Sequence, residues 1–363
     1  LDSCYRQAMS VCGSDGLYCR KVQFLNTRGN APTAGIDFEP PLENLLNTNV
    51  CLFDCTFANN DGGGVYIKEG AQNHTIQNGV FQNNSAGTFS PGDSSTWDDG
   101  WGGGLYIGCA NATLTVSGGI FRNNHAGKGG GIYVNASSST VNINDISTES
   151  NQSTYGAFMF VRRDTKAVVN LKGGSIGGNI SQWNGGAIFV DNDNTLNIIG
   201  SELKYNTSAG GKGGAVFAQG TSAKVNMTGG RIESNTALLG GGIGLINGAV
   251  MTYSEGGFIR SNRALKDPNN GSAGFGGGNS KKSDEGEENQ ERDWKEFFSQ
   301  MGVKWPEGSS IMYIKTLGKL YVRNTRENLA EFEKVLDELG GQPQLIEIET
   351  RFVEVKQEDL NSL

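Results

Sequence analysis

The stretch Phe121-Arg122-Asn123-Asn124-His125-Ala126-Gly127-Lys128-Gly129-Gly130-Gly131-Ile132-Tyr133-Val134 decides the fold, because altered copies of it return along most of the chain. From Asn124 onward, its asparagine returns at intervals of 27, 28, 27, 29 and 27 residues. That period is too long for a helix or a hairpin and fits one coil of a solenoid. The asparagines of this series are Asn60, Asn84, Asn124, Asn151, Asn179, Asn206, Asn235 and Asn262.

Glycines followed by apolar and aromatic residues recur in phase with the asparagines. These motifs begin at Gly62, Gly102, Gly129, Gly185, Gly213 and Gly240, with a weaker copy at Gly156. Each coil also holds an alternating segment before a Gly-Gly pair, as in residues 114–119. Alternation with β-branched residues predicts strands, and the Gly-Gly pairs predict turns. Three short strands in about 27 residues predict a mainly β fold, a right-handed parallel β-helix over residues 1–278.

The asparagines are predicted to form one inward-facing line. Equivalent positions in successive coils lie about 4.8 Å apart, the spacing of paired strands. An asparagine tolerates the left-handed backbone of a tight corner, and its amide can donate to one neighbouring coil while accepting from the other. The residue three positions earlier is apolar in most coils, as with Phe121 before Asn124. The alternative is that these asparagines are turn residues only.

Composition and charge argue against two classes of partner. The chain carries a net charge of −8, and its Gly- and Asn-rich part has no basic stripe, which argues against nucleic acid. No apolar run reaches eighteen residues, so the sequence predicts no transmembrane segment. Composition shifts near residue 279, beyond which 12 Lys and Arg face 18 Asp and Glu.

The charged stretch 279–293 is predicted to be a linker, and residues 294–363 a small α+β domain. Residues 311–322 predict a strand pair, and residues 345–355 a further strand. Between them, Asn324 is predicted to cap a helix with Glu327 in a capping box. The apolar stripe of that helix is Leu329, Phe332, Leu336 and Leu339.

This small domain resembles the ring-building domains that precede the barrel of bacterial secretins. The resemblance rests on residues 320–325, 327–329 and 346–355. No barrel sequence follows, so an export channel is not carried over. The resemblance implies a protein–protein interaction module.

The paired motifs resemble the repeats of chlamydia-type polymorphic outer membrane proteins. Gly-Gly-Ala followed by Ile or Val occurs at 185–188 and 213–216, and Phe-x-x-Asn occurs at 57–60, 81–84 and 121–124. That resemblance covers about residues 50–278 and implies a surface-exposed adhesin. Residues 19–60 instead look like the β-helix proteins related to pectate lyases and glycoside hydrolases.

Six cysteines lie toward the amino-terminal end: Cys4, Cys12, Cys19, Cys51, Cys55 and Cys109. An even number without a CxxC motif predicts disulfides that staple the first coils, with the connectivity left open, and not a zinc site. Disulfides and Asn-x-Ser/Thr sequons both favour an extracellular or cell-surface location. Glycans are predicted on the outward set Asn73, Asn83, Asn111, Asn135, Asn226 and Asn270.

A ligand site is sought where the repeat is interrupted, and the longest interruption is residues 85–101. Trp97 and Trp101 flank Asp98 and Asp99 there. Such residues can stack a sugar ring and bind its hydroxyl groups or a calcium ion, so calcium is the one cofactor considered. The alternative is that the tryptophans cover the flank of the solenoid.

Carboxylates in the first coils form a second candidate site. Asp37 and Glu39 lie two apart in a predicted strand and face the same way. With Asp54 or Asp61 of neighbouring coils they are candidates for a glycosidase pair. The alternative is a solvated polar face.

Two functions remain open at this stage. The first is a non-enzymatic extracellular β-solenoid, adhesive or filament-forming, that binds other copies of itself or a surface protein or carbohydrate. Head-to-tail contact would then cover the open end of each solenoid. The second is a polysaccharide lyase or glycoside hydrolase on the first coils.

Overall fold

A computed structural model of the chain describes residues 1–29, 33–40, 46–68, 70–87, 100–265, 275–277, 295, 298–299, 302–306, 309–314 and 319–340. The chain divides into two compact units, Leu1–Lys281 and Lys282–Leu363. The first unit is a parallel β-helix of about 27 residues per coil, as the asparagine period predicted. Its strands stack into three long sheets and one short sheet.

The first sheet contains the apolar strands that follow the glycines. Within the described residues it has ten parallel strands in chain order. They are Met9–Val11, Ile36–Phe38, Val65–Ile67, Leu105–Ile107, Ile132–Val134, Met159–Val161, Ile188–Val190, Val216–Gln219, Ile243–Ile246 and Phe275–Gly277.

The second sheet contains the alternating segments, which bend at the Gly-Gly pairs. It has thirteen described strands, and their side chains alternate between the core and the surface. They are Tyr18–Arg20, Gln23–Leu25, Cys51–Phe53, Thr56–Ala58, His74–Gln82, Thr113–Arg122, Thr140–Glu149, Val168–Lys172, Ser175–Gly177, Thr195–Ile199, Glu202–Lys204, Lys224–Glu233 and Val250–Arg260.

The third sheet lies between the asparagines and the glycines of each coil. Its seven described strands are Ser85–Ala86, His125–Lys128, Gln152–Tyr155, Ile180–Ser181, Thr207–Lys212, Thr236–Leu239 and Arg263–Ala264. The first coils contain a separate three-stranded sheet, with strands Ser14–Asp15, Asn47–Thr48 and Ala71–Gln72.

Glycine is required where the third sheet turns into the first. Gly129 begins the motif with a φ of 64°, a left-handed conformation that suits glycine. A Cβ on the following Gly130 would lie 2.3 Å from the carbonyl oxygen of Gln152 in the next coil. Backbone conformation and stacking distance therefore both require the repeated glycine motif.

A column of stacked phenylalanines lies in the core of the first coils. Phe24, Phe57, Phe81 and Phe121 stack with centroids 4.3 to 5.2 Å apart. Thr148 takes the next place in register, where the column stops. The buried Phe158 packs edge-on against Phe121 at 5.9 Å. A ring from the neighbouring corner thus fills the space that the threonine leaves.

The second unit is described in part. Strands Ser310–Ile314 and Lys319–Arg323 form an antiparallel pair, followed by helix Arg326–Gly340. Its buried core includes Phe298, Val303, Phe332 and Val335. The predicted linker and the strand at 345–355 lie outside the described residues.

The cap of this helix differs from the prediction by one residue. Asn328 donates its backbone N–H to the hydroxyl of Thr325, which lies directly before the helix. Asn324 instead accepts from the side-chain amide of Asn328 at 3.1 Å. Thr325 is the better N-cap because its side chain reaches the N–H three residues on.

Candidate functional site

The asparagine ladder is structural and holds the coils in register. From Asn60 to Asn235 the seven ladder side chains are fully buried. Each donates its amide to the side-chain oxygen of the next, and Asn235 donates to Asn262, at 2.8 to 3.0 Å. Most of them also donate to a backbone carbonyl of the preceding coil, as Asn124 does to Phe81 at 2.9 Å. Their hydrogen-bonding groups are therefore already used within the protein.

The left-handed conformation predicted for the ladder asparagine itself is wrong. In the structure the left-handed residue is the one before it, for example Asn123 with a φ of 52° and Ser150 with a φ of 54°. The ladder asparagine acts through its buried amide, whereas its neighbour makes the turn.

The outer face of the first sheet carries a second column, which is aromatic. The middle residue of each three-residue strand faces outward, and register pairs these residues along the solenoid. Successive ring centroids lie 4.4 to 5.5 Å apart. The column consists of Tyr66, Tyr106, Tyr133, Phe160, Phe189 and Phe217.

A groove of about 490 Å³ lies over this aromatic column, between Trp101 and Gln219. One wall comes from residues just before the glycine corners, including Trp101 and Lys128. The other wall comes from residues at or just after the ends of first-sheet strands, including Asn135, Arg162 and Asp191. Five successive coils thus contribute to one concave surface, which is a candidate site.

Trp101 is the most exposed of the aromatic side chains that line the groove. Its ring stacks on Tyr133 at 5.6 Å and is 49% exposed, whereas Tyr133 and Phe160 are 4% and 5% exposed. The ammonium of Lys128 lies 5.9 Å from the Phe160 centroid, within cation–π range. The buried rings therefore support the floor, and Trp101 offers the accessible ring.

Hydrogen bonds fix the polar side chains of the groove. Arg162 donates to the side-chain oxygen of Asn135 at 2.9 Å, and Asn135 donates to the Tyr106 hydroxyl at 3.0 Å. On the next coils, Gln219 donates to the carboxylate of Asp191 at 2.9 Å. Burial is the main reason that the pKa of Tyr133 rises to about 12, so its hydroxyl stays protonated. The site can therefore present planar polar groups in fixed positions.

Of the four predicted ligand-binding residues, Trp101 belongs to this groove. Trp97, Asp98 and Asp99 lie outside the described residues.

Asp37 and Glu39 lie at the amino-terminal end of the same outer face. Asp37 pairs in register with Tyr66 and so continues the aromatic column. It is 1% exposed, and its Oδ1 is buried without a hydrogen-bond partner. Burial first, and the negative charge of Glu39 second, raise the pKa of Asp37 to about 6. Glu39 forms an ion pair of 3.4 Å with Lys68.

The other two predicted carboxylates lie elsewhere. Asp54 follows Cys51–Phe53 of the second sheet and pairs with Arg20 at 3.7 Å. Asp61 is exposed in a turn before the glycine motif. The structure therefore brings Asp37 and Glu39 onto one face and places Asp54 on another.

The predicted disulfide staples are not supported, because all six cysteines are free thiols in the structure. Cys19 lies opposite Leu52, so Cys51 beside it projects to the other side of the sheet. Cys55 and Cys109 are buried, and burial raises the pKa of both thiols. Cys4 and Cys12 lie in the first coil.

The predicted glycan acceptors differ in their surroundings. Asn73, Asn83 and Asn111 are exposed at left-handed corners. Asn135 lies in the groove, and Asn226 donates its amide to Asn197 at 2.8 Å on the outside of the second sheet. Asn270 lies outside the described residues.

In the described part of the chain, no group of three or more His, Cys, Asp or Glu side chains is arranged to hold a metal ion. No described helix has both the length and the apolar character that a membrane span needs.

Most residues of the groove were not predicted as site residues from the sequence. Trp101 was predicted, whereas Lys128, Arg162 and Asp191 were not. A signal was available, since aromatic residues recur at the middle position of the strands after the glycines, where a core residue is not expected.

Comparisons of the chain with protein-family models, curated proteins and solved structures find no match.

Proposed function

We propose that this protein is a non-enzymatic, glycan-binding adhesive β-solenoid that acts outside the cell or at its surface. The observation that carries the proposal is the half-exposed ring of Trp101 at the edge of a polar groove with an aromatic floor. Sugars have both apolar CH faces and hydroxyl groups, so their binding sites combine an aromatic ring with planar polar side chains.

The groove fits a chain of sugars better than a single small molecule. The aromatic residues of its floor run along the solenoid from Tyr106 to Phe189, over four coils. With coils about 4.8 Å apart, that floor is roughly 14 Å long. Asn135, Asp191 and Gln219 supply amide and carboxylate groups along it.

An extracellular location agrees with this ligand class and with the exposed sequons Asn73, Asn83 and Asn111. It also agrees with the adhesin role that the repeat resemblance implies. Self-association into filaments belongs to the same proposal, since a stacked solenoid offers strand edges at its ends.

Glycan binding is tested with the full chain on an array of diverse glycans, followed by calorimetry on the best ligand. Trp101→Ala is expected to weaken binding at least about tenfold, in line with the loss of an aromatic contact. Trp183→Ala is the matched control, because Trp183 is 42% exposed but does not line the groove. Equal affinities for the parent and Trp101→Ala, or no glycan binding at all, would contradict the proposal.

A second candidate function, glycan cleavage by a glycoside hydrolase or lyase, is favoured by one observation. Asp37, with its pKa raised to about 6, is a carboxyl that can hold a proton in mildly acidic solution, and Glu39 lies two residues further along, in an ion pair with Lys68. General acid–base cleavage of a glycosidic bond uses such a pair.

The two functions are separated by a cleavage assay on a glycan that binds. Under the adhesive proposal, reducing ends do not accumulate at pH 5 or pH 7. Under the enzymatic alternative, they accumulate with the parent and disappear with Asp37→Asn and with Glu39→Gln. Asp61→Asn controls for the loss of one carboxylate, because Asp61 is exposed in a turn.

A further inference from the structure

The described lining of the groove is positively charged although the chain as a whole is acidic. The net charge of the chain is −8. Among the described residues, three cationic side chains line the groove, namely Lys128, Arg162 and Arg163, against one carboxylate, Asp191. A concave surface of one sign concentrates ligands of the opposite sign.

The two arginines have hydrogen-bonding capacity left for a ligand. Both are exposed, and no carboxylate in the described part of the chain forms an ion pair with either. A guanidinium has five N–H donors, and the bond from Arg162 to Asn135 orients the group while leaving donors free.

Asp191 opposes this charge only in part. Its Oδ1 accepts hydrogen bonds from the Gln219 amide and from the backbone N–H of Asn192, both at 2.9 Å. These donors hold the carboxylate as part of the groove wall and offset some of its charge. An anion in the groove therefore meets the arginines as the principal charged groups.

We infer that the groove selects anionic glycans, whose carboxylate or sulfate groups are bound by Arg162 and Arg163. This inference rests on the proposed function. Guanidinium groups bind two oxygens of one oxyanion through two parallel hydrogen bonds, and such charge-assisted bonds are about twice as strong as neutral ones. Trp101 would stack on the sugar ring, and the two arginines would bind the carboxylate or sulfate group of the glycan.

The test uses three polymers with one backbone: dextran, carboxymethyl dextran and dextran sulfate. Binding to the full chain is measured by calorimetry in low and high salt. At least one of the two charged polymers is expected to bind at least about tenfold more tightly than dextran in low salt. High salt should remove most of that difference, because exposed charges are screened.

The variant Arg162→Gln/Arg163→Gln is expected to lose the preference for charged polymers and to keep any affinity for dextran. Arg231→Gln is the matched control, because Arg231 is half-exposed on the second sheet. Urea unfolding curves check that each variant keeps its fold.

The outcomes separate this inference from the proposed function. If dextran and its charged forms bind equally, or if Arg231→Gln reduces binding as much as the double variant, the inference is wrong and glycan binding stands. Single-stranded DNA is measured in the same assay as a further anionic polymer. If it binds more tightly than every glycan, the assignment of the ligand as a glycan is wrong. If no glycan binds, the proposed function itself fails.

Discussion

The side-chain amide of Asn179 donates a hydrogen bond of 2.8 Å to the side-chain oxygen of Asn206, one coil further along the solenoid. Both side chains are fully buried. Asn151 in turn donates to Asn179 at 2.9 Å. Each ladder residue is thus a donor to one coil and an acceptor from the other, and removing one leaves its neighbours with unsatisfied groups.

We predict that Asn179→Ala lowers the free energy of unfolding by roughly 2–4 kcal/mol, because buried polar groups on two neighbouring coils lose partners. Urea unfolding of the full chain measures this change. Asn197→Ala is the control: Asn197 belongs to a second row of asparagines, half-buried on the outside of the second sheet, and donates to Asn170 at 2.8 Å. Its loss should cost about 1 kcal/mol or less, since water can replace its partner. Equal decreases in the free energy of unfolding of the two variants would show that the burial of the ladder asparagines does not add to their contribution.

The stacking period could be predicted from the sequence because a solenoid repeats the same contacts in every coil. Asn124 and its counterparts mark the position of each coil without further information. The backbone geometry at the corner could not be assigned in the same way. Residues as different as Asn123, Ser150 and Tyr205 adopt the left-handed conformation there, so no single residue type marks the position.

The groove was beyond prediction for a different reason. Its walls combine side chains about 27 residues apart in sequence that meet only after the coils stack, such as Asn135 and Arg162. Alternation shows that Tyr133 faces outward, but not that Trp101 covers it. The free thiols are a related case, since the spacing of Cys19 and Cys51 does not reveal that they project to opposite sides of one sheet.

The compensation between Thr148 and Phe158 gives a second stability prediction. Phe158→Ala should destabilise the protein by about 3–5 kcal/mol, because it empties a fully buried space beside Phe121. Adding Thr148→Phe should restore part of the lost packing by continuing the phenylalanine column, although it also removes the hydroxyl that bonds to the backbone of Gly177 and to the side-chain amide of Asn179. Chemical unfolding of both single variants and the double variant forms a mutant cycle. If the two effects simply add, the two residues do not share one space.

Asp37 gives a prediction for the pH dependence of stability. Its pKa is about 6 in the folded protein against an ordinary 3.8, so the folded state holds this proton to higher pH than the unfolded state. Stability is therefore lost as pH rises from about 4 through 6, by about 3 kcal/mol for a shift of about two pKa units. Asp37→Asn should equal the parent near pH 4 and exceed its stability at pH 8.

Unfolding midpoints across that pH range check the Asp37 prediction, with Asp61→Asn as the exposed carboxylate control. A parent and an Asp37→Asn variant whose stabilities stay parallel from pH 4 to pH 8 would show that Asp37 is charged and satisfied in the folded protein. The same experiment bears on the enzymatic alternative, because a general acid must keep its proton at the working pH.

Self-association gives the last prediction, and it concerns the strand Val250–Arg260. Tyr253 pairs in register with the buried Met227, yet Tyr253 is 50% exposed, and Phe258 on the same strand is 55% exposed. We expect a neighbouring copy to cover these side chains in head-to-tail contact, since apolar surface and strand edges favour pairing. Light scattering at tens of micromolar should then give a mass above the monomer for the parent and a monomer for Tyr253→Ser/Phe258→Ser. Tyr205→Ser, which changes a 64% exposed tyrosine in the middle of the solenoid, should behave as the parent. A monomeric parent, or loss of association in Tyr205→Ser as well, would rule out this contact, because Tyr253 stands in register with a core position and Tyr205 does not.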